Sequence, residues 1–229
     1  MGADDAPALV ADPAGRILDL LAGHPGRRLV LGLVGLPGSG KSTLAADLEH
    51  EVNTRAGAPV MAALGMDGFH WSRARLAHFP DPAEALARRG APWTFDAAGL
   101  ASRVRALRDA AGALPVPDVY WPGFEHGVGD PVPDAIGIPG AVGVVLVEGL
   151  YLLHQDHGWQ LDGLLDECWY LDVDMDTAME RLIARHQASW SLTRAQAQAR
   201  VARNDRENAG LVLASRNRAG WRVLAGQRP

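Results

Sequence analysis

Apolar residues fall along this chain in two rhythms. Four blocks are continuous and short: RLVLGLVG (28–35), PVMAALGMD (59–67), AVGVVLVEG (141–149) and ECWYLDVD (167–174). Unbroken apolar runs of this length predict strands buried on both faces, as in a parallel sheet. Between them the spacing is helical. PAGRILDLLAG (13–23) has Pro near its start and Gly at its end, a segment from Ser42 carries Leu44 and Leu48, and DPAEALARRG (81–90) ends in Gly. FDAAGLASRVRALRDAAG (95–112) places Leu100, Val104 and Leu107 on one stripe. TAMERLIARH reads as a helix opened by a capping box, Thr177 to Glu180, with Met179, Leu182, Ile183 and His186 facing a core. A last helix near 205–215 and a short WRVL strand follow. LPVPDVYW reads as an edge strand at most, because of its prolines, and 121–140 as a long Pro/Gly-rich loop. Strand and helix alternate, which predicts one mostly parallel α/β sheet covered on both faces.

Composition narrows the classes. With 229 residues, 48% of them hydrophobic, the chain can bury the core of one α/β domain, or a core plus a small lid. A net charge of −5 supplies no bulk basic footprint, so nucleic acid is not an expected partner. The one cysteine, Cys168, excludes an intramolecular disulfide framework and lies in an apolar run, as a structural thiol would. No segment approaches about 18 uninterrupted apolar residues, so no membrane span is expected. The acidic first residues lack a signal peptide's basic region, and Ala6 breaks a myristoylation signal; the cytoplasm is the expected address.

The most chemical stretch is GLPGSGKS. Gly35, Leu36, Pro37, Gly38, Ser39, Gly40, Lys41 and Ser42, followed by Thr43, match G-x-x-x-x-G-K-[ST] between a buried strand and a helix. The glycines let backbone N–H groups turn inward, and the helix N-terminus adds positive potential at the same point. Lys41 would reach β/γ-phosphates and the Ser42 hydroxyl would ligate Mg²⁺. The plain alternative is a Gly-rich turn with an incidental lysine. In open α/β sheets ligands sit beyond the carboxyl ends of strands. Two acids stand there: Asp67, continuing as Asp-Gly-Phe-His, and Glu148. One carboxylate can hold Mg²⁺ or its waters while another accepts a proton from an attacking hydroxyl. Asp67 could instead belong to a turn, and Glu148 could be a surface acid.

In this order and spacing, GLPGSGKST, MDGFH and VLVEGLY resemble the P-loop kinases that include uridine kinase, phosphoribulokinase and bacterial type I pantothenate kinase. RRGAPWTFD, FEHGVGDPVPD and LDVDMDTAMERLIARH extend the likeness over most of 28–215, nearest to a pantothenate-kinase-like branch of nucleoside/nucleotide or fructose-type kinases. The resemblance implies a P-loop NTPase fold over 1–229, with a mostly parallel five-stranded sheet flanked by helices and a small Arg-rich lid at about 184–203. It implies ATP and Mg²⁺, a small-molecule hydroxyl acceptor and, as related kinases often form, a homodimer. By position, Asp67 matches the catalytic base, and Glu148 the acid near Mg²⁺ and the acceptor. Phe124, His126 and Asp130 match an acceptor-pocket segment, with His70 also able to face the acceptor. Arg181 and Arg185 share a helix face that would lead into the lid and neutralise the transferred group, with Arg194, Arg200 and Arg203 as weaker candidates. Asn204, Asp205 and Asn208 match a segment near the nucleotide base, and Trp71, Trp93 and Trp121 lie on the acceptor side. Arg88 and Arg89 could bind substrate, but read slightly more readily as solvated helix-end charges favoured by the helix dipole.

Asp172, Asp174 and Asp176 do not form a calcium loop, because Thr177 and Ile183 stand where Gly and Glu are required. A GTPase would carry N-K-x-D, and a transporter ATPase L-S-G-G-Q; neither is present. The expectation is a small-molecule kinase. The alternative is a nucleotide-binding regulatory module with little or no phosphotransfer.

Overall fold

The computed structural model describes residues 7–110, 117–124 and 129–224. Its chain order is β1 (Ala8–Leu9), α1 (Pro13–Gly23), β2 (Leu29–Gly35), α2 (Lys41–Ala56), β3 (Met61–Gly65), α3 (Arg73–Leu76), α4 (Pro82–Ala87), α5 (Ala97–Ala110), β4 (Val119–Phe124), β5 (Pro131–Ile138), β6 (Val144–Gly149), β7 (Glu167–Asp172), α6 (Met175–Trp190), α7 (Arg194–Arg200), α8 (Arg206–Ser215) and β8 (Trp221–Leu224). A 3₁₀ turn, Met66–Phe69, follows β3, and a π-helical turn, Val201–Asp205, joins α7 to α8.

Six strands form one parallel sheet in the order β1-β8-β7-β2-β6-β3. Every residue of β2 is buried, so both faces of the sheet centre are covered. The strand count is six rather than five, because the two-residue β1 pairs with β8 through Ala8 and Leu9. Two residues are too few to carry a periodic signal. The 121–140 segment is not one loop: β4 and β5 form an antiparallel pair with an irregularity between Trp121 and Gly123. Six of the eight residues of β5 are exposed, so it shows neither the alternation of a half-buried strand nor an apolar run.

Helix α6 begins earlier than its sequence suggests. Asp174 is the N-cap and accepts the N–H of Thr177 at 3.0 Å, so Thr177 is a helical residue and not the cap. The reciprocal capping box lies instead at Thr193 and Gln196, opening α7. Met179, Leu182, Ile183 and His186 are buried, as the pattern predicts.

The free edge of the sheet, β3, is covered from α2. Asn53 accepts the N–H of Met61 at 2.8 Å and donates to its carbonyl at 3.0 Å, while Glu49 accepts the N–H of Ala63 at 3.2 Å. Among the described residues no helix is long and apolar enough to cross a membrane.

Candidate active site

Strand β2 delivers the Gly-rich loop at the centre of the sheet, and α2 starts directly at Lys41. Gly40 caps α2 in the left-handed region, φ +92°, and no side chain caps the helix. The first amides of α2 therefore point forward for an anion. Gly38 has φ +80°, and a Cβ there would lie 2.2 Å from the carbonyl oxygen of Ala178 on α6. Only glycine fits between loop and helix. Leu36 and Pro37 are buried, and the N–H of Ser39 closes the turn on the Leu36 carbonyl at 3.0 Å. Lys41 is half-buried and is the only lysine in the sequence; Ser42 and Thr43 are exposed on the first turn of α2.

The register of the sheet sets the acids. Leu33 of β2 pairs with Glu148 of β6, and Glu148 with Gly65 of β3. The Ser42 hydroxyl donates to Glu148 Oε1 at 2.8 Å. A hydroxyl and a carboxylate oxygen side by side at the phosphate cradle are the hard oxygen donors that suit Mg²⁺. Asp67 stands two residues past Gly65 in the 3₁₀ turn, its side chain 40% exposed.

His70 folds back on this turn. Its backbone N–H and its Nδ1 both reach the Asp67 carbonyl, at 3.1 and 2.8 Å. A carbonyl only accepts, so Nδ1 carries the proton. The imidazole lies between Phe95 and Phe124, with ring centroids 3.9 and 4.8 Å away. Asp67, His70 and Phe124 thus form one cluster. His126 lies outside the described residues, as does Glu125.

Two contacts fix the strand ends under these acids. Met66 Sδ accepts the N–H of Leu150 at 3.1 Å, and the Trp121 indole donates to the Gly65 carbonyl at 2.9 Å. Trp121 is fully buried, so it anchors the β4–β5 pair and offers no face for stacking. Trp93 packs near Phe79, and Arg75 lies over Trp71 at 5.6 Å. Tyr151, the last residue of VLVEGLY, is given no role by the sequence; it donates to the Gly90 carbonyl at 2.6 Å, and burial pushes its phenol well above the ordinary range and keeps it a donor.

Arg181 donates to the Ser39 carbonyl of the loop at 3.3 Å, and Arg185 is exposed one turn further along α6. Arg194 pairs with Glu180 at 2.7 Å, Arg200 covers the Trp190 ring at 4.2 Å, and Arg203 is exposed. The reading of Arg88 and Arg89 as solvated charges is wrong. Arg88 pairs with Glu207, and Arg89 turns inward to Trp71, Gly129 and Asp130. Asn204 and Asn208 are buried, with their amide nitrogens 3.9 and 3.7 Å from where a Gly90 Cβ would stand, and Asn204 donates to the Arg89 carbonyl. The three aspartates of β7 and α6 serve separate ends. Asp172 meets Arg222 at 3.3 Å, Asp174 caps α6 and Asp176 faces Arg206 at 3.7 Å.

No family model matches the chain. It is 39% identical over 188 residues to a Schizosaccharomyces pombe protein provisionally named a uridine kinase, a match spanning 81% of this chain and 78% of that one. It is 44% identical over 125 residues to the ATP-dependent kinase-like protein notR' of Aspergillus versicolor, spanning 54% of this chain and 72% of that one. A solved structure from Silicibacter sp. TM1040, provisionally described as a fructose transport system kinase, superposes with a TM-score of 0.80 at 31% identity, covering 93% of this chain and 97% of that one.

Proposed function

This chain belongs to the P-loop kinases related to uridine kinase, and from that premise we propose that it transfers the γ-phosphoryl group of ATP to a hydroxyl of a small molecule. The observation that carries the reading is the pairing of Ser42 Oγ with Glu148 Oε1 at 2.8 Å, at the mouth of an uncapped helix and one strand away from Asp67. A regulatory module needs the cradle alone. A second acid beside the acceptor aromatics has its natural use in deprotonating a hydroxyl.

The chain's own groups divide the work. The amides at the start of α2 and the Lys41 ammonium hold the β- and γ-phosphates. Ser42 and Glu148 would hold Mg²⁺, which when bound screens the phosphate charge. Asp67 orients the acceptor hydroxyl and takes its proton as the oxygen attacks phosphorus. His70 and Phe124 form one wall of the acceptor side. Arg181 and Arg185, on the helix over the cradle, neutralise the group in transit, with residues 184–203 as the lid. The names of the relatives support ATP as donor and bring uridine and fructose into view as acceptor types.

An ADP-release screen over nucleosides, free sugars, sugar phosphates and pantothenate-like alcohols, with ATP and Mg²⁺, tests this reading. Turnover that requires one of these alcohols is the expected result. Nucleotide binding without turnover on any of them would favour the regulatory module instead.

A further inference from the structure

The two arginines that close α4 face inward, and one of them reaches two separate parts of the acceptor side. Arg89 Nη1 donates to the Gly129 carbonyl, while Nη2 donates to the Trp71 carbonyl at 3.0 Å and to Asp130 Oδ1 at 2.9 Å. The same Asp130 oxygen accepts the N–H of Arg73 at 2.9 Å. Trp71 follows directly on His70 and lies four residues after Asp67; Gly129 and Asp130 lead into β5. One planar cation therefore staples the turn that bears Asp67 to the strand pair that packs against it. The Arg89 side chain is only 14% exposed, and the oxygens on its two terminal nitrogens offset much of the cost of burying its charge.

Arg89 is held in turn from the C-terminal side. Its carbonyl accepts Asn204 Nδ2 at 3.1 Å, and Arg88 reaches the Arg203 carbonyl at 3.3 Å. Asn204 sits in the π-helical turn, an irregularity found disproportionately at functional sites. Its neighbour Asp205 meets His186 Nε2 of α6 at 3.1 Å, and α6 contacts the phosphate cradle through Arg181. A continuous set of contacts thus joins the cradle, α6, the π turn, Arg89 and the acceptor segments.

We propose that Arg89 is the positioning residue of the acceptor half of the site and that Asn204 couples it to the nucleotide half. Only the turnover arm of the test rests on the kinase reading. A lysine cannot replace Arg89, because a point charge lacks the two-pronged guanidinium that serves three oxygens.

Hydrogen exchange on the full chain, with and without a non-hydrolysable ATP analogue and Mg²⁺, reads this directly. The variants are Arg89→Lys, Asp130→Asn (which loosens the same staple from the other side) and Asn204→Ser, with Glu207→Gln as the control beside the hub. In Arg89→Lys and Asp130→Asn, exchange of the peptide covering 71–76 should rise about tenfold. Affinity for the ATP analogue should stay within about twofold, since no cradle contact is touched. With an acceptor found in the screen, KM for that acceptor should rise while KM for ATP holds. Wild-type chain should slow exchange at 71–76 when nucleotide binds; Asn204→Ser should lose that response, and Glu207→Gln should keep it. Unchanged exchange and acceptor KM in Arg89→Lys would overturn the positioning role. Absence of a nucleotide response in wild type, or its persistence in Asn204→Ser, would overturn the coupling. Should the screen give no turnover, the exchange data still decide the role of Arg89, separately from the kinase reading.

Discussion

Met66 passes its thioether beneath Gly149, so that a Cβ on Gly149 would lie 2.2 Å from both Cγ and Sδ of Met66. The residues on either side of this contact are Asp67 and Glu148. The spacing of the two acids therefore depends on one glycine and one methionine that touch neither phosphate nor acceptor. Gly149→Ala should destabilise the fold by about 1–3 kcal/mol through overpacking. Thermal unfolding would show it as a lowered Tm, and an unchanged Tm would mean that Met66 has room to move aside.

Lys41, as the only lysine, makes the cradle open to an unusually clean chemical test. An acyl phosphate of ATP, which acylates amines beside bound phosphates, should label the peptide bearing Lys41, and free ATP should protect it. Lys41→Ala should weaken ATP binding by roughly 10–100-fold, the usual worth of a charged hydrogen bond, and lower turnover with it. Titration calorimetry giving an unchanged ATP affinity would contradict the assignment.

Asp67→Asn keeps the shape of the turn, because its structural contacts run through the carbonyl that holds His70. ATP affinity should stay, while kcat falls by about 10² or more from loss of the base. Wild-type turnover in this variant, measured with any accepted alcohol, would remove Asp67 from the chemistry.

The pH dependence of stability has a source on the far side of Tyr151. His154 Nε2 lies 3.4 Å from His157 Nδ1, and desolvation, with His157 adding to it, holds His154 below the ordinary histidine range. A depressed folded value means that the unfolded chain binds the proton more readily. This histidine therefore costs nothing above its unfolded pKa, about 6.5, and destabilises increasingly as pH falls below it. His154→Gln should flatten the fall of Tm between about pH 6.5 and pH 5. Identical Tm–pH curves for variant and wild type would show that the proton is taken up on another group.

How far the sequence reveals this molecule follows from where each signal is written. Strands β2, β6 and β7 announce themselves because burial on both faces demands unbroken apolar runs. Lys41, Ser42, Asp67 and Glu148 are legible because strand ends and a glycine turn place them. Strand β4 overlaps the edge strand expected at LPVPDVYW, but its partner β5 was missed: PVPDAIGI is mostly exposed and carries prolines. Arg89 was misread because its partners are two main-chain carbonyls and an aspartate 41 residues away, none of which leaves a local pattern. The false capping box at Thr177 shows a rule satisfied in letters while Asp174, three residues earlier, offers the better oxygen.

The edge strand β3 closes its outward amide and carbonyl at Met61, and its amide at Ala63, on side chains of its own α2. Those are the groups through which a second molecule would extend the sheet. Two copies of this chain therefore cannot merge their sheets along β3 without first stripping Asn53 and Glu49 away. The strand that leads into Asp67 is thereby guarded from edge pairing by side chains of the helix that begins at the phosphate loop.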